Sequence, residues 1–496
     1  MASGAVAAEL FIGGKWHHPE GRARFQSINP TNGEPVGSFV SASSEDVRAA
    51  IGAAQAAFPS WKATPAPRRG EILLAAAAIL RRRKEEIART VTREMGKILA
   101  EGRGDVQESI DFLEFMAGEG RRLRGETVPS ELRQKFCLTV RQPKGVVACI
   151  TPWNFPTAIP NWKIAAALIC GNTVVFKPAS LTALCATRVV EVYEEAGLPP
   201  GVLNLVTGSG GTVGTALLTD PRVRAVSFTG GVETGREVYQ KGAEGLKMVH
   251  LELGGKNPEI VLEDADLDLA LEGLLFGAFG TSGQRCTATS RLILDAKVYE
   301  EFLGRLVDRV RALKVGDPLV ESTEMGPVAS RDQEAKVMGY IDGARASGDR
   351  LALGGTKLTG REYDRGSFLA PTIFETRHGS RISTEEIFGP VLAVLKVSGF
   401  EEAVRVANDV SYGLSSSIYT KDVGRAFRAI EELEAGITYV NAPTIGAEVQ
   451  LPFGGVKNTG NGGREAGSAA IEEFTEVKTV FVDFSNRLQK AQIDPR

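Results

Sequence analysis

Between residues 145 and 253 short apolar runs alternate with segments of helical periodicity, a pattern that few folds accept. Strands are expected at 145–151, 172–177, 202–206, 225–228 and 248–253, with helices at 159–170, 181–196, 213–218 and 234–241. Strands joined in this way through helices lie parallel, in a sheet covered on both faces. Such sheets bind ligands beyond the carboxyl ends of their strands. Lys177, Thr207-Gly208, Thr229-Gly230 and Glu252 all fall at such ends.

The flanking regions extend this plan. Residues 9–40 read as short strands and turns. Residues 44–118 read as helices rich in Ala, Glu and Arg, with Ser44-Glu45-Asp46 as the N-cap and acidic first turn. The run from Arg81 to Glu86 is most simply a solvated helix face. Residues 122–142 alternate as a strand-rich arm. A second α/β region follows Gly254, with a strand at 258–262, a helix at 267–279, a strand at 291–294 and a helix at 298–313, and it continues to about residue 452. Residues 476–484 alternate like a strand that pairs outside its own core, for instance with another subunit. No internal repeat or low-complexity linker interrupts the chain.

A chain of 496 residues exceeds what one hydrophobic core usually serves, so at least two domains are expected. The division that follows is 1–121 with 143–253 as one unit, 254–455 as a second, and 122–142 with 456–496 as arm and tail. A net charge of −3 argues against binding nucleic acid through phosphates. The apolar run at 72–80 is too short to cross a bilayer, and the N-terminus lacks the basic region of a signal peptide. The five cysteines have no paired spacing, as suits a reducing compartment, and a cytoplasmic location is the expectation. Four histidines form no ligand pattern, so no metal is expected.

Five stretches carry chemistry. In Phe279-Gly-Thr-Ser-Gly-Gln-Arg-Cys286 a cysteine follows a Gly-Gln turn at a helix end, where backbone N–H groups favour a thiolate. Cys286 reads as a nucleophile toward a carbonyl carbon, or as a small buried hydrophobe. Leu251-Glu252-Leu253-Gly254-Gly255-Lys256-Asn257-Pro258 sets one carboxylate between apolar neighbours, where burial raises its pKa toward general-base work; an exposed strand-end glutamate is the alternative. Asn154, held between Pro152 and Pro156, suits an oxyanion donor or an Asx-turn. Lys177 ends an apolar strand, placed for a ribose hydroxyl or phosphate, or simply for the surface. The Gly-rich turn from Phe228 to Gly235 opens a helix and offers an anion site. The G-x-G-x-x-G fingerprint fails there, and it fails from Gly208 to Val213, where the last glycine arrives one place late, at Gly214.

Taken together, L-E-L-G-G-K-x-P and then F-x-x-x-G-Q-x-C, in the family's order and across essentially the whole chain, resemble the aldehyde dehydrogenase superfamily. The resemblance implies a Rossmann-like cofactor domain, a second α/β catalytic domain and a small β oligomerisation arm. It implies Cys286 as nucleophile, Glu252 as the base that activates water, Asn154 with the Cys286 N–H as oxyanion hole, and Lys163 and Glu465 as proton-relay groups. It assigns NADP or NAD to Thr151, Pro152, Trp153, Lys177, Ser180, Gly210, Gly214, Phe228, Thr229, Gly230, Gly235, Glu386 and Phe388.

Two positions depart from the family pattern. Gly231 replaces a common serine after Phe-Thr-Gly. Ser180 stands where NAD-preferring members carry a ribose-binding glutamate, which implies tolerance of NADP and a lean toward it. The stretches around Arg285, Trp162-Lys163 and 441–448 look most like bacterial dehydrogenases of 2-oxoglutarate semialdehyde, with Arg285 as candidate partner for a substrate carboxylate or as an arginine packed away from the pocket. Other semialdehydes (succinate, aminoadipate), broad-range aldehydes, a thiol hydrolase and a non-catalytic binding relative are the alternatives. Family members are dimers or tetramers.

Overall fold

The computed structural model describes residues 6–493. Among them, two seven-stranded sheets carry the fold. The first runs in the order Met248–Glu252, Val223–Thr229, Val146–Ile150, Thr173–Lys177, Leu203–Leu205, then Leu10–Ile12 and Lys15–His17. Its first five strands are parallel, and the N-terminal hairpin closes the edge antiparallel. The second sheet places Asn257–Val261 between Thr289–Asp295 and Ser415–Tyr419, all parallel. Only its Arg350–Leu353 edge strand is antiparallel. The expected α/β fold class is the one observed.

Burial explains the apolar runs. Val146–Ile150 and Thr173–Lys177 are buried at every residue, as strands with helices on both faces must be. Every residue of the helix Ala158–Ile169 is buried, because Leu99–Glu119 and Ala66–Met95 pack outside it. The long helical stretch is three helices, broken at Pro65 and Gly96.

Several boundaries differ from expectation for local reasons. The first N-cap is Ser43, not Ser44: the Asp46 carboxylate accepts from the Ser43 N–H at 2.8 Å while Ser43 Oγ accepts from Asp46 N–H, closing a capping box. Residues 210–214 wind as a wide π-type turn before a short helix, Thr215–Thr219. The tail strand Thr475–Asp483 pairs antiparallel with Lys135–Pro143 of its own chain over its full length, rather than requiring another subunit for that ladder. Thr127–Val128 completes this three-stranded arm. Its surface leaves Phe136, Val477, Phe481 and Phe484 at least half exposed.

Candidate active site

Cys286 is presented by a strained turn. The helix Leu267–Phe279 ends, and Thr281, Ser282 and Gly283 follow with φ of 53°, 54° and 69°. Left-handed backbone at a β-branched threonine persists only where the surroundings over-determine it. Here they do. Glu101 accepts from Thr281 N–H at 2.7 Å, and Ser282 Oγ donates to the Gly326 carbonyl at 2.8 Å. The Gln284 amide donates to the Thr281 carbonyl and accepts from Ala329 N–H. Only glycine fits at 283, where a Cβ would stand 2.2 Å from the Gly389 carbonyl oxygen. The turn is thus held by four hydrogen bonds.

The sulfur sits where two cavities meet. The outer one, of about 200 Å³, is walled by Pro152, Trp153, Asn154, Thr229, Gly230, Glu386 and Phe388 along with Cys286. The inner one, of about 120 Å³, is walled by Glu252, Arg285, Trp162, Phe453 and Glu465, again with Cys286. A larger groove of about 540 Å³ runs beside the arm past Arg141 and Glu472, but those charges pair with each other and no cysteine lines it.

Electrostatics keep Cys286 a thiol at rest. Burial raises its pKa first, then the Glu252 and Glu386 carboxyls. The Thr287 and Cys286 N–H groups pull it down but lose, and the thiol is pushed up to about 12. The turn's preference for a thiolate is real but outweighed, so attack on a carbonyl needs a base. Glu252 closes the strand Met248–Glu252 with 2% exposure. Burial holds its carboxyl well above the usual range, against the His250 ring, which lowers it.

Asn154 is buried in the loop before Ala158–Ile169. One of its amide hydrogens reaches the Gln284 carbonyl (3.1 Å), leaving the other uncommitted, and its oxygen has no partner. Buried Asp105 fixes that loop by accepting from Thr157 Oγ and Ala158 N–H at 2.7 Å each, with Lys97 Nζ on its other oxygen. Lys163 makes a buried ion pair with Glu465 and donates to Ser227 Oγ at 2.9 Å. Arg285 lines the inner cavity, but its guanidinium is held by Glu101 and Thr281 at 2.9 Å each and lies over Phe155 and Phe276.

The outer cavity and the carboxyl edge of the sheet beside it together have the donor set for a dinucleotide. Thr151 Oγ, Thr229 Oγ and Asn154 Oδ1 are buried without partners. Among the described residues Lys177 Nζ meets only the Pro178 carbonyl, at 3.2 Å, and burial lowers its pKa to about 8. These polar atoms match the hydroxyls and phosphates of such a ligand. Glu386 accepts from Gly255 N–H at 3.0 Å, and Phe388, at φ 61°, meets Trp153 edge-on at 5.4 Å.

Not every expected residue reaches that cavity. Lys177, Ser180, Gly210 and Gly214 follow the neighbouring strands Thr173–Lys177 and Leu203–Leu205, along the same carboxyl edge, and Thr151 follows Val146–Ile150. Phe228 packs under Gly230, and Gly235 lets its helix close on Leu253. Sequence reading missed Gln333, whose amide fixes the Phe388 carbonyl at 2.6 Å, and Lys336 on the same wall. It also missed a cluster: among the described residues His250, Glu465 and Glu473 bring ligand-type atoms within 4.8 Å of one another. No local spacing signals these, since each comes from a different element.

Comparison with known proteins settles the family. The sequence profile described as the aldehyde dehydrogenase family matches residues 16–480. The chain belongs to the aldehyde dehydrogenase family. It is an NAD(P)-dependent aldehyde dehydrogenase. It is 44% identical over 475 residues to an alpha-ketoglutaric semialdehyde dehydrogenase of Bacillus subtilis, covering 95% of this chain and 97% of that one. It is 42% identical over 472 residues to a 2,5-dioxopentanoate dehydrogenase of Saccharolobus solfataricus, with 94% and 98% covered. A crystal structure of betaine aldehyde dehydrogenase from Staphylococcus aureus in complex with NAD+ superposes with a TM-score of 0.95 at 35% identity, covering 98% of this chain and 97% of that one.

Proposed function

We propose that this aldehyde dehydrogenase oxidises 2-oxoglutarate semialdehyde to 2-oxoglutarate by covalent catalysis at Cys286. The single observation that carries the mechanism is the position of Cys286 between an outer cavity bordered by unpartnered polar atoms and an inner cavity holding a buried carboxylate. An aldehyde enters the inner cavity, and the sulfur adds to its carbonyl carbon as a solvent base takes the thiol proton. The free amide hydrogen of Asn154 and the Cys286 N–H stabilise the resulting alkoxide. Lys177, Thr229, Glu386 and Phe388 would hold a dinucleotide, which would supply the hydride acceptor when bound. Glu252 takes a proton from water as that water adds to the acyl carbon, the C–S bond breaks, and the carboxylate product leaves.

The substrate assignment rests on the names of the similar proteins and on the inner wall. Glu108 lines it, and burial raises its carboxyl to about 8, so at neutral pH it is largely uncharged and does not repel an acidic substrate. Arg285 is the candidate cation, although its pairing with Glu101 leaves a broad-range aldehyde specificity as the second reading. Both NAD and NADP are accepted, with NADP favoured, since Ser180 supplies no carboxylate against a 2′-phosphate.

No helix among the described residues is long and apolar enough to cross a membrane, and a cytoplasmic homodimer or homotetramer built on the arm is part of the proposal. The division into units at 1–121 with 143–253, 254–455, and 122–142 with 456–496 is proposed likewise. Steady-state kcat/KM for the semialdehyde against an uncharged aldehyde of similar length tests the assignment. Equal values refute it.

A further inference from the structure

His250 and Glu252 are two residues apart on one strand, so their side chains share a face. That strand is the edge of the first sheet, and the C-terminal segment covers it: Leu253 N–H donates to the Thr459 carbonyl, and Leu251 N–H to Asn461 Oδ1. Gly463 then passes so close that a Cβ there would lie 2.0 Å from His250 Nδ1. The imidazole is thereby clamped with its other nitrogen among carboxylates. Nε2 stands 3.3 Å from Glu252 Oε1, 3.0 Å from Glu473 Oε1 and 3.8 Å from Glu465 Oε1.

All four side chains are at least nine-tenths buried. Among the described residues Glu473 Oε1 and Oε2, Glu252 Oε2 and His250 Nε2 make no regular hydrogen bond, so the carboxylates meet the ring as close charges. Glu252 faces Cys286 across the inner cavity. His250 and Glu473 border a different cavity of about 220 Å³, which Glu252 and Cys286 do not line. The ring therefore stands between the carboxylate beside the nucleophile and a separate space behind it.

We infer that His250 is a positioning and proton-transfer residue for the hydrolytic half of the reaction, linking Glu252 to Glu473 and to the cavity behind them. The inference rests on the proposed role of Glu252 as base. The protons balance. When water attacks the thioester, Glu252 gains one proton. The Nε2 proton of the imidazolium passes to Glu473 Oε1, and the protonated Glu252 then gives its proton to the vacated Nε2. The net result moves one proton from Glu252 to Glu473, which releases it into the second cavity.

The charges around the ring suit this. They are Glu252 on its own strand, Lys163 from Ala158–Ile169, Arg464 and Glu465 beside Gly463, Glu472 and Glu473 from Ala470–Phe474, and Lys144 at the cavity rim. Burial works to lower the imidazolium pKa, but Glu473, Glu252 and Glu465 outweigh it and raise it to about 10, so a proton on Glu252 finds a stronger base in the neutral ring. Lys163 already holds Glu465, which makes the cluster a proton carrier rather than a metal cage.

The test is stopped-flow NAD(P)H formation by the full-length enzyme, comparing wild type with His250→Gln, Glu473→Gln and Glu252→Gln from pH 6 to 10. For His250→Gln the first-turnover burst keeps its rate within about twofold. Its steady-state kcat falls about tenfold at pH 7.5, and the acid limb of kcat moves up by about 1–3 pH units, the shift expected when a carboxylate loses a cationic neighbour. Glu473→Gln keeps the ring and removes the acceptor, so it lowers kcat with the burst intact and tests the route even if His250→Gln does not fold. A wild-type acid limb and kcat in both variants overturn the inference, as does an equal loss of burst and kcat with no pH shift. Full steady-state turnover in Glu252→Gln would instead remove the base reading on which it rests.

Discussion

Substituting Gly283 by alanine tests whether the turn that carries Cys286 is over-determined. The residue has φ of +69°, and a Cβ would lie 2.2 Å from the oxygen and 2.6 Å from the carbon of the Gly389 carbonyl. The left-handed backbone costs an alanine about 1–2 kcal/mol. The contact is with backbone rather than a flexible side chain, so relief requires moving the 386–390 loop or the turn, which costs a further ~1–3 kcal/mol as overpacking. The expected loss of stability is about 2–5 kcal/mol.

The same movement separates the turn from Glu386 and Phe388, which share the outer cavity with Cys286. Misplacement of a reacting group by about 1 Å costs about a hundredfold in rate. Thermal unfolding and kcat, measured together, report both effects. Gly304→Ala, in the helix Tyr299–Arg311 with open space around its Cβ, is the control and gains about 1 kcal/mol from helix propensity. Wild-type stability and wild-type kcat in Gly283→Ala would refute the reasoning.

Other outcomes follow from the same geometry. The Glu252 carboxyl, raised to about 8, works as a base only when ionised. Hydrolysis is therefore lost as pH falls through that value and rises about tenfold from pH 7 to 9, as a single titration requires; a pH-independent kcat over that range contradicts this. Glu252→Gln forms about one equivalent of NAD(P)H per Cys286 and then stalls, as single-turnover absorbance will show. Ser180→Glu shifts the ratio of kcat/KM values toward NAD by about tenfold or more, because a carboxylate repels the 2′-phosphate; an unchanged ratio places Ser180 away from the ribose. Arg285→Met lowers kcat/KM for the semialdehyde acid about tenfold to a hundredfold, the worth of a charge-assisted hydrogen bond, while sparing hexanal. Equal losses on both substrates would mark Arg285 as a structural partner of Glu101.

The parallel sheets were legible because buried strands and amphipathic helices leave distinct periodicities, and Leu267–Phe279 is found over the residues that its pattern predicts. Cys286, Glu252 and Asn154 stood out as candidates because each sits in a stretch marked by glycines or prolines, and all three line the two cavities that meet at the sulfur. The local strain was not: Thr281 and Ser282 are not residues that announce φ > 0, and Glu101 and Gly326, far away in sequence, impose it. The neutral state of the thiol was also hidden, since a turn's N–H groups are local while the opposing burial and carboxyls come from three segments. His250 and Glu473 carry no local signal, and only the edge-covering path of the C-terminal segment brings them together.

The central claim is tested most directly by following NAD and NADP reduction with 2-oxoglutarate semialdehyde and with hexanal, for the wild type and for Cys286→Ala. The account predicts turnover with both cofactors, faster with NADP, a preference of about tenfold or more for the semialdehyde acid, and no turnover of either aldehyde by Cys286→Ala. Equal or better rates with hexanal would contradict the substrate assignment. Dehydrogenation surviving in Cys286→Ala would contradict the mechanism itself.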